Sequence, residues 1–296
     1  MQTQTEIREL LSSAQRRPNR HLGQCFLVDG NLMGRLLDLA ELTGRETVLE
    51  VGPGTGSLTE ELLARAARVV AVEVDPALAA LLRQRLGGRE GLTLIEGDVL
   101  AGKHALSPAV LAAVGRRARL VSNLPYGAAT PVLMNCLLSS WRSLARQACT
   151  RFERLTFTVQ REVADRLTAR AGEGAYGPVS VLAALLGELR AGPPVPATAF
   201  WPRPKVASRI LRIDFAASAA SRLRDAETLR SALRLAFGQR RKQLGALPRR
   251  ASLPVDRGVL AAAMQAAGID PCLRAEQVPP EQYLLLANAL PAATEP

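Results

Sequence analysis

The stretch Thr47-Val48-Leu49-Glu50-Val51-Gly52-Pro53-Gly54-Thr55-Gly56 decides the fold. Its first half is a short, almost wholly apolar run, the pattern of a strand covered on both faces. Its second half sets a glycine at every other position, where the backbone can bend sharply and lie close to a ligand. The same alternation repeats outward. A helix follows with Leu58, Leu62, Leu63 and Ala66 on one face, then a strand over Arg68–Glu73 and a helix over Pro76–Leu86. Further strands are predicted at 92–96, 119–122 and 155–159. Upstream, Leu32, Met33, Leu36, Leu37 and Ala40 recur at helical spacing, with Asn31 as the expected cap and Gly44 past the end. Nearly continuous apolar strands alternating with helices mean a parallel sheet with helices on both faces, an α/β doubly wound fold. Ligands of such sheets bind beyond the carboxyl ends of the strands.

Downstream, the pattern predicts a helix over 162–169, a loop rich in glycine (Gly172, Gly174, Gly177) and a helix over 179–186. Proline-rich turns are expected from Pro193 to Pro204, and a last strand over 206–215. Strand signals then stop. Residues 225–244, 259–267 and 281–290 read as helices. The expected organisation is an α/β domain over 1–217, with residues 1–30 as an amino-terminal arm, followed by a small all-helical domain over 218–296.

The chain has 296 residues, 48% apolar and 22% charged, which excludes a disordered or fibrous chain. The apolar stretch 179–186 is far shorter than the roughly 18–20 residues that span a bilayer. The first twenty residues are polar and basic and lack the apolar core of a secretory signal, so a cytoplasmic or organelle-matrix location is expected. The four cysteines, at 25, 136, 149 and 272, have no C-x-x-C spacing, and His21 and His104 are the only histidines. No metal site is therefore expected, and free thiols are. A monomer is the default expectation. The net charge of +11 is concentrated: residues 201–250 hold 13 basic against 3 acidic side chains, whereas 1–200 hold 23 against 19. Local charge of that size points to a polyanion such as nucleic acid. The alternative is a solvated arginine surface, since the chain uses 35 Arg and only 3 Lys.

Four motifs follow strands. The first is Glu50 to Gly56. A dinucleotide fingerprint needs glycine at 57, which is Ser. Glu50, just before the first glycine, would repel a pyrophosphate and suits a ligand with a cationic part, such as S-adenosylmethionine. The second is Glu73, where a carboxylate can accept hydrogen bonds from both ribose hydroxyls. In the third, Asp98 is placed to accept from an adenine amino group, and Val74 and Val99 could sandwich the ring. The fourth, Asn123-Leu124-Pro125-Tyr126, carries the chemistry. An exocyclic amino group is a poor nucleophile because its lone pair is delocalised into the base. The Asn123 side-chain oxygen and the Leu124 carbonyl can pull it toward tetrahedral geometry. Pro125 fixes the turn, and Tyr126 can stack on a base flipped out of its helix.

These motifs together resemble the KsgA (RsmA) family of S-adenosylmethionine-dependent ribosomal RNA adenine N6,N6-dimethyltransferases. More of the chain agrees: Leu22-Gly-Gln-Cys-Phe-Leu-Val-Asp29, Gln160-Arg-Glu-Val-Ala-Asp-Arg-Leu167, Tyr176-Gly-Pro-Val-Ser-Val181, Phe200-Trp-Pro-Arg-Pro-Lys-Val206 and Phe237-Gly-Gln-Arg-Arg-Lys242 are similar to motifs of that family. The resemblance implies a Rossmann-like methyltransferase sheet that dimethylates two adjacent adenosines near the 3′ end of small-subunit (16S) RNA. It places Cys25, Leu27, Gly52, Gly54, Glu73, Val74, Asp98, Val99 and Asn123 around the cofactor. It makes Asn123 to Tyr126 the catalytic turn, with Phe200 as a second stacker on the base. Arg203, Lys205, Arg240, Arg241 and Lys242 would face RNA. The chain departs from the family at Cys25, Gly127, Pro178 and Ala207, where Asn or His, Asn, Arg and Asp are usual. A thiol is a weak donor, so somewhat reduced cofactor affinity is expected. The rival readings are a large-subunit methyltransferase of the macrolide-resistance type, an RNA-binding ribosome-assembly factor with weak or no catalysis, and a nicotinamide-dependent dehydrogenase.

Overall fold

The computed structural model describes all residues except 20–21, 103–104, 146–148, 248–255 and 293–296. Both histidines lie outside the described residues. Among the described residues nine strands form: β1 (Phe26–Leu27), β2 (Thr47–Val51), β3 (Arg68–Glu73), β4 (Leu92–Glu96), β5 (Arg117–Asn123), β6 (Arg151–Gln160), β7 (Gly187–Val195), β8 (Phe200–Trp201) and β9 (Ser208–Phe215). Seven make one sheet in the order β4-β3-β2-β5-β6-β9-β7, and β1 pairs with β8. From β4 to β6 every pairing is parallel. The expected all-parallel sheet is corrected beyond that point, where β9 runs antiparallel to β6. Chain order moves outward from β2 through β3 to β4, then jumps back to β5 on the other side of β2. The carboxyl ends of β2 and β5 therefore flank the crevice in which open α/β sheets bind ligands.

The chain divides into two compact units, one of Met1–Ala164 with Leu189–Phe215 and one of Asp165–Glu188 with Ala216–Pro296. In the first, Val48, Leu49, Val69, Val70, Leu120 and Val121 are fully buried, as continuous apolar strands require. The helix Gly30–Ala40 packs Met33, Leu36, Leu37 and Ala40 against Val48, Val69 and Val121. Its cap is Asp29, whose side chain accepts from Leu32 N, and not Asn31. Residues 187–195, part of which was expected as turns, form β7. The prolines there are tolerated because β7 is an edge strand, where a missing N–H costs no ladder bond. A helix over Gln4–Ser13 had not been expected. Thr3 and Glu6 form a capping box at its start.

The second unit contains the helices Pro178–Leu186, Ala226–Gly238, Arg257–Ala266 and Pro280–Ala289. Residues 165–188, assigned to the amino-terminal domain on sequence, cluster here. The reason is an aromatic core: Phe237 lies 6.0 Å from Tyr176 and 5.8 Å from Tyr283 between ring centroids. The Tyr176 hydroxyl donates to the Val278 carbonyl at 2.9 Å. The helix expected over 225–244 stops at Gly238, so Arg240, Arg241 and Lys242 sit in the following turn.

Candidate active site

A cavity of about 290 Å³ opens at the carboxyl ends of β2, β3 and β5. Three glycines shape the loop at its floor, of which Gly52 and Gly54 line the cavity itself. Gly52, Gly54 and Gly56 have φ of +69°, +62° and +88°, the left-handed region that side chains disfavour. A Cβ on Gly52 would stand 2.8 Å from Pro125 Cγ, and one on Gly54 2.8 Å from Phe26 Cε1. The glycine loop, the Asn123–Tyr126 turn and β1 thus meet at distances that leave no room for side chains.

Two carboxyls are built into the floor. Glu73 is 3% exposed, and its two oxygens each accept one backbone N–H, from Gly54 at 3.0 Å and from Asp75 at 2.9 Å. Each oxygen keeps further acceptor capacity. Burial pushes its carboxyl above the usual range. Glu50, 2% exposed, accepts from the Thr59 hydroxyl at 2.7 Å, and burial pushes its pKa up to about 8.

The wall is the turn after β5. The Asn123 Nδ2 donates to the Cys25 carbonyl at 2.9 Å. That bond fixes the amide's orientation, since only the NH₂ end can donate. The Oδ1 is left buried with no partner. An unsatisfied buried acceptor is costly unless a ligand completes it. Tyr126 is half-buried, its hydroxyl 3.3 Å from Ser208 Oγ, and burial pushes its pKa up to about 12. It stays a neutral phenol at ordinary pH.

Cys25, Leu27, Gly52, Gly54, Glu73, Val74, Asp98, Val99 and Asn123 to Tyr126 all line this one cavity. Val74 is 46% exposed, an apolar side chain at the mouth with no protein cover. Phe200, the expected second stacker, is placed elsewhere. It pairs with Leu27 through β8 and β1 and is 3% exposed in the core beneath the helix Gly30–Ala40. Arg203 and Lys205 are exposed between β8 and β9. Arg241 and Lys242 are exposed in the second unit. Arg240 is committed within that unit, to Glu276 at 3.1 Å and the Gly174 carbonyl at 2.6 Å. Sequence reasoning passed over Phe26, whose ring fills the space above Gly54, and Ser208, the partner of Tyr126. Neither has a signal without the contact itself.

Among the described residues no cluster of three His, Cys, Asp or Glu is placed to hold a metal ion, and no helix is long and apolar enough to cross a membrane. The four cysteines are thiols. The glycine floor, the ribose-spaced carboxylate and the uncovered apolar wall fit S-adenosylmethionine. Fold and cavity together define a Rossmann-like, S-adenosylmethionine-dependent methyltransferase.

Comparison with known proteins narrows the class. The model of the ribosomal RNA adenine dimethylase family matches residues 15–291, and the chain belongs to that family. It is 39% identical to ribosomal RNA small subunit methyltransferase A of Phenylobacterium zucineum, over 100% of this chain and 96% of that protein. The crystal structure of 23S rRNA methyltransferase ErmE is similar at TM-score 0.59 and 30% identity, covering 90% of this chain and 99% of that one. A dimethyladenosine transferase from Plasmodium falciparum shares the fold at TM-score 0.69 and 20% identity, covering 88% and 95%.

Proposed function

We propose that the chain dimethylates N6 of two adjacent adenosines near the 3′ end of small-subunit ribosomal RNA, in the cytoplasm, as a step of ribosome biogenesis. The observation that carries this reading is the unpartnered Asn123 Oδ1 on the cavity wall. When bound, S-adenosylmethionine supplies a methyl group made electrophilic by its sulfonium. Glu73 holds the ribose hydroxyls, Asp98 the adenine amino group, and Val74 with Val99 flank the ring. Asn123 Oδ1 and the Leu124 carbonyl accept the two N–H bonds of the target N6. They localise its lone pair and stabilise the positive charge that develops there. Tyr126, a neutral phenol, stacks on the flipped base and does not act as a base. A Cβ on Gly127 would meet nothing within 4 Å, so the turn leaves room for an amino group that already carries one methyl. Small-subunit RNA is favoured by the family motifs and by the name of the relative that matches along the whole chain.

The test offers labelled S-adenosylmethionine with small subunits lacking the modification, with large subunits in parallel, followed by nucleoside analysis. Dimethyladenosine from small subunits alone, with kcat about 10²–10³-fold lower in Asn123→Ala, is the expected result. Label only in large subunits would move the chain to the resistance branch. No label anywhere, with the cofactor bound, would make it an assembly factor that kept the fold.

A further inference from the structure

Thr55 is the one side chain between Gly54 and Gly56, both in the left-handed region. Whatever holds Thr55 therefore sets where the loop's glycine amides point. Thr55 lines the cavity and is 1% exposed. Gln2 takes two of its polar groups at once. Gln2 Nε2 donates to the Thr55 carbonyl at 3.0 Å, and the Thr55 hydroxyl donates to Gln2 Oε1 at 2.6 Å. The Gln2 backbone N–H donates to Ser57 Oγ at 3.0 Å, on the first residue of the helix Ser57–Leu63. Arg85 adds a second donor to the Thr55 carbonyl and pairs with Glu60 at 2.9 Å.

Gln2 is itself 6% exposed and does not line the cavity. Its place is set from outside the loop. The capping box of Thr3 and Glu6 fixes the chain direction immediately after it. Ile7 and Leu11 bury the following helix against Leu78 and Leu81, and Arg8 lies 5.1 Å over the Trp201 ring. A connected path of bonds runs from Gln2 to Thr55, and through the Gly54 N–H to Glu73 Oε2 at 3.0 Å. An arm that only covered the core would need Ile7 and Leu11. It would not need a buried amide matched at both ends to one residue of the loop.

We infer that Gln2 is a positioning residue for the cofactor: its amide locks Thr55 and so keeps the glycine loop in the shape that receives S-adenosylmethionine. The inference rests on the assignment of this cavity to that cofactor. Gln2→Met keeps the length and packing of the side chain and removes both amide bonds. Gln2→Glu keeps the acceptor and removes the donor. Cofactor affinity by calorimetry, kcat on unmodified small subunits, melting temperature and hydrogen exchange of the free protein are compared for both. Loss of these bonds in Gln2→Met is expected to weaken cofactor binding about tenfold. Gln2→Glu, which sets a buried carboxylate oxygen against the Thr55 carbonyl, is expected to weaken it at least as much. kcat at saturating cofactor stays within about twofold, because no bond to the reacting atoms is lost. Loop amides 54–57 exchange faster in the free protein, while those of β2 and β3 do not change. Unaltered affinity and unaltered loop exchange would overturn the inference. So would a joint fall of kcat, affinity and melting temperature, which is what loss of a mere anchor produces. A wild type that does not bind S-adenosylmethionine would sink the cavity assignment instead, and loop exchange in the free protein would still decide the role of Gln2.

Discussion

At Asn123 one amide meets two demands. Its nitrogen is tied to the Cys25 carbonyl, and its oxygen is left buried without a partner. The tie is to backbone, so replacing the Cys25 side chain leaves it intact. Cys25→Asn is expected to tighten cofactor binding by about three- to tenfold, the value of one recovered hydrogen bond, as titration calorimetry would show. An affinity equal to the wild type would mean the thiol costs nothing. Glu50 gives a pH signature. Its folded pKa is raised from 4.5 to about 8. The folded state therefore holds a proton that the unfolded state has lost. The contribution of this carboxyl is fully present below about pH 4.5 and is lost as pH rises to about 8, at roughly 1.4 kcal/mol per pH unit. Denaturant melts at pH 5, 7 and 9 should show Glu50→Gln gaining on the wild type as pH rises. Parallel curves would refute a buried neutral carboxyl. Glu50, Glu73, Asp98 and Asn123 were all legible in the sequence, because each lies at or just past the carboxyl end of a strand whose apolar run is unmistakable. The unpartnered Oδ1 was not legible. It depends on a carbonyl 98 residues away.

Among the elements, the glycine loop and the helix Gly30–Ala40 depend on opposite things, room in one case and charge in the other. Gly52→Ala would force a Cβ into a left-handed residue and against Pro125. It is expected to cost about 1–2 kcal/mol in stability and to weaken cofactor binding. Gly127→Asn, which meets open space, should melt with the wild type and serves as the contrast. The helix ends at Glu41, in the left-handed region, with three guanidiniums around its last carbonyls. Arg119 and Arg154 bond Ala40 O, Arg212 bonds Leu39 O, and the last two clasp the Glu41 carboxylate at 2.7 and 2.6 Å. Cations there oppose the helix dipole and fill orphan acceptors. Arg212 is 3% exposed and also pairs with Asp214 at 2.8 Å. Arg212→Leu is expected to cost roughly 3 kcal/mol by stranding part of that network. The hydrogen bonds from Arg212 and Arg154 hold the Glu41 pKa at about 2 against an ordinary 4.5. Its stabilisation is complete above about pH 4.5 and is lost as pH falls toward 2. An acid titration of Glu41→Gln should show a smaller loss than the wild type over that window.

For the whole molecule, the relevant quantity is where the charge lies. Arg241 and Lys242 are exposed in the turn after Gly238, whereas Arg240 is spent on Glu276 and Gly174. Removing Arg241 and Lys242 together is expected to lower the salt slope of RNA binding by about 2 with little change in melting temperature. Arg240→Ala should do the reverse. A slope that follows Arg240 instead would contradict this division.

Local sequence determined the alternation of strand and helix, the glycine turn, the carboxylates at the strand ends and the Asn-Leu-Pro-Tyr turn. Each is written in a short window as apolar run, glycine spacing or cap. Tertiary structure alone decided five things. It brought Gln2 onto Thr55 and buried Phe200 beneath the helix Gly30–Ala40. It moved 165–188 into the helical unit through Tyr176. It also ran β9 antiparallel and tolerated proline in β7 at the sheet edge. The reason is common to all five. Periodicity reports which face of an element is apolar, but not which distant element will cover it. A buried amide or ring takes its role from the partner that satisfies it.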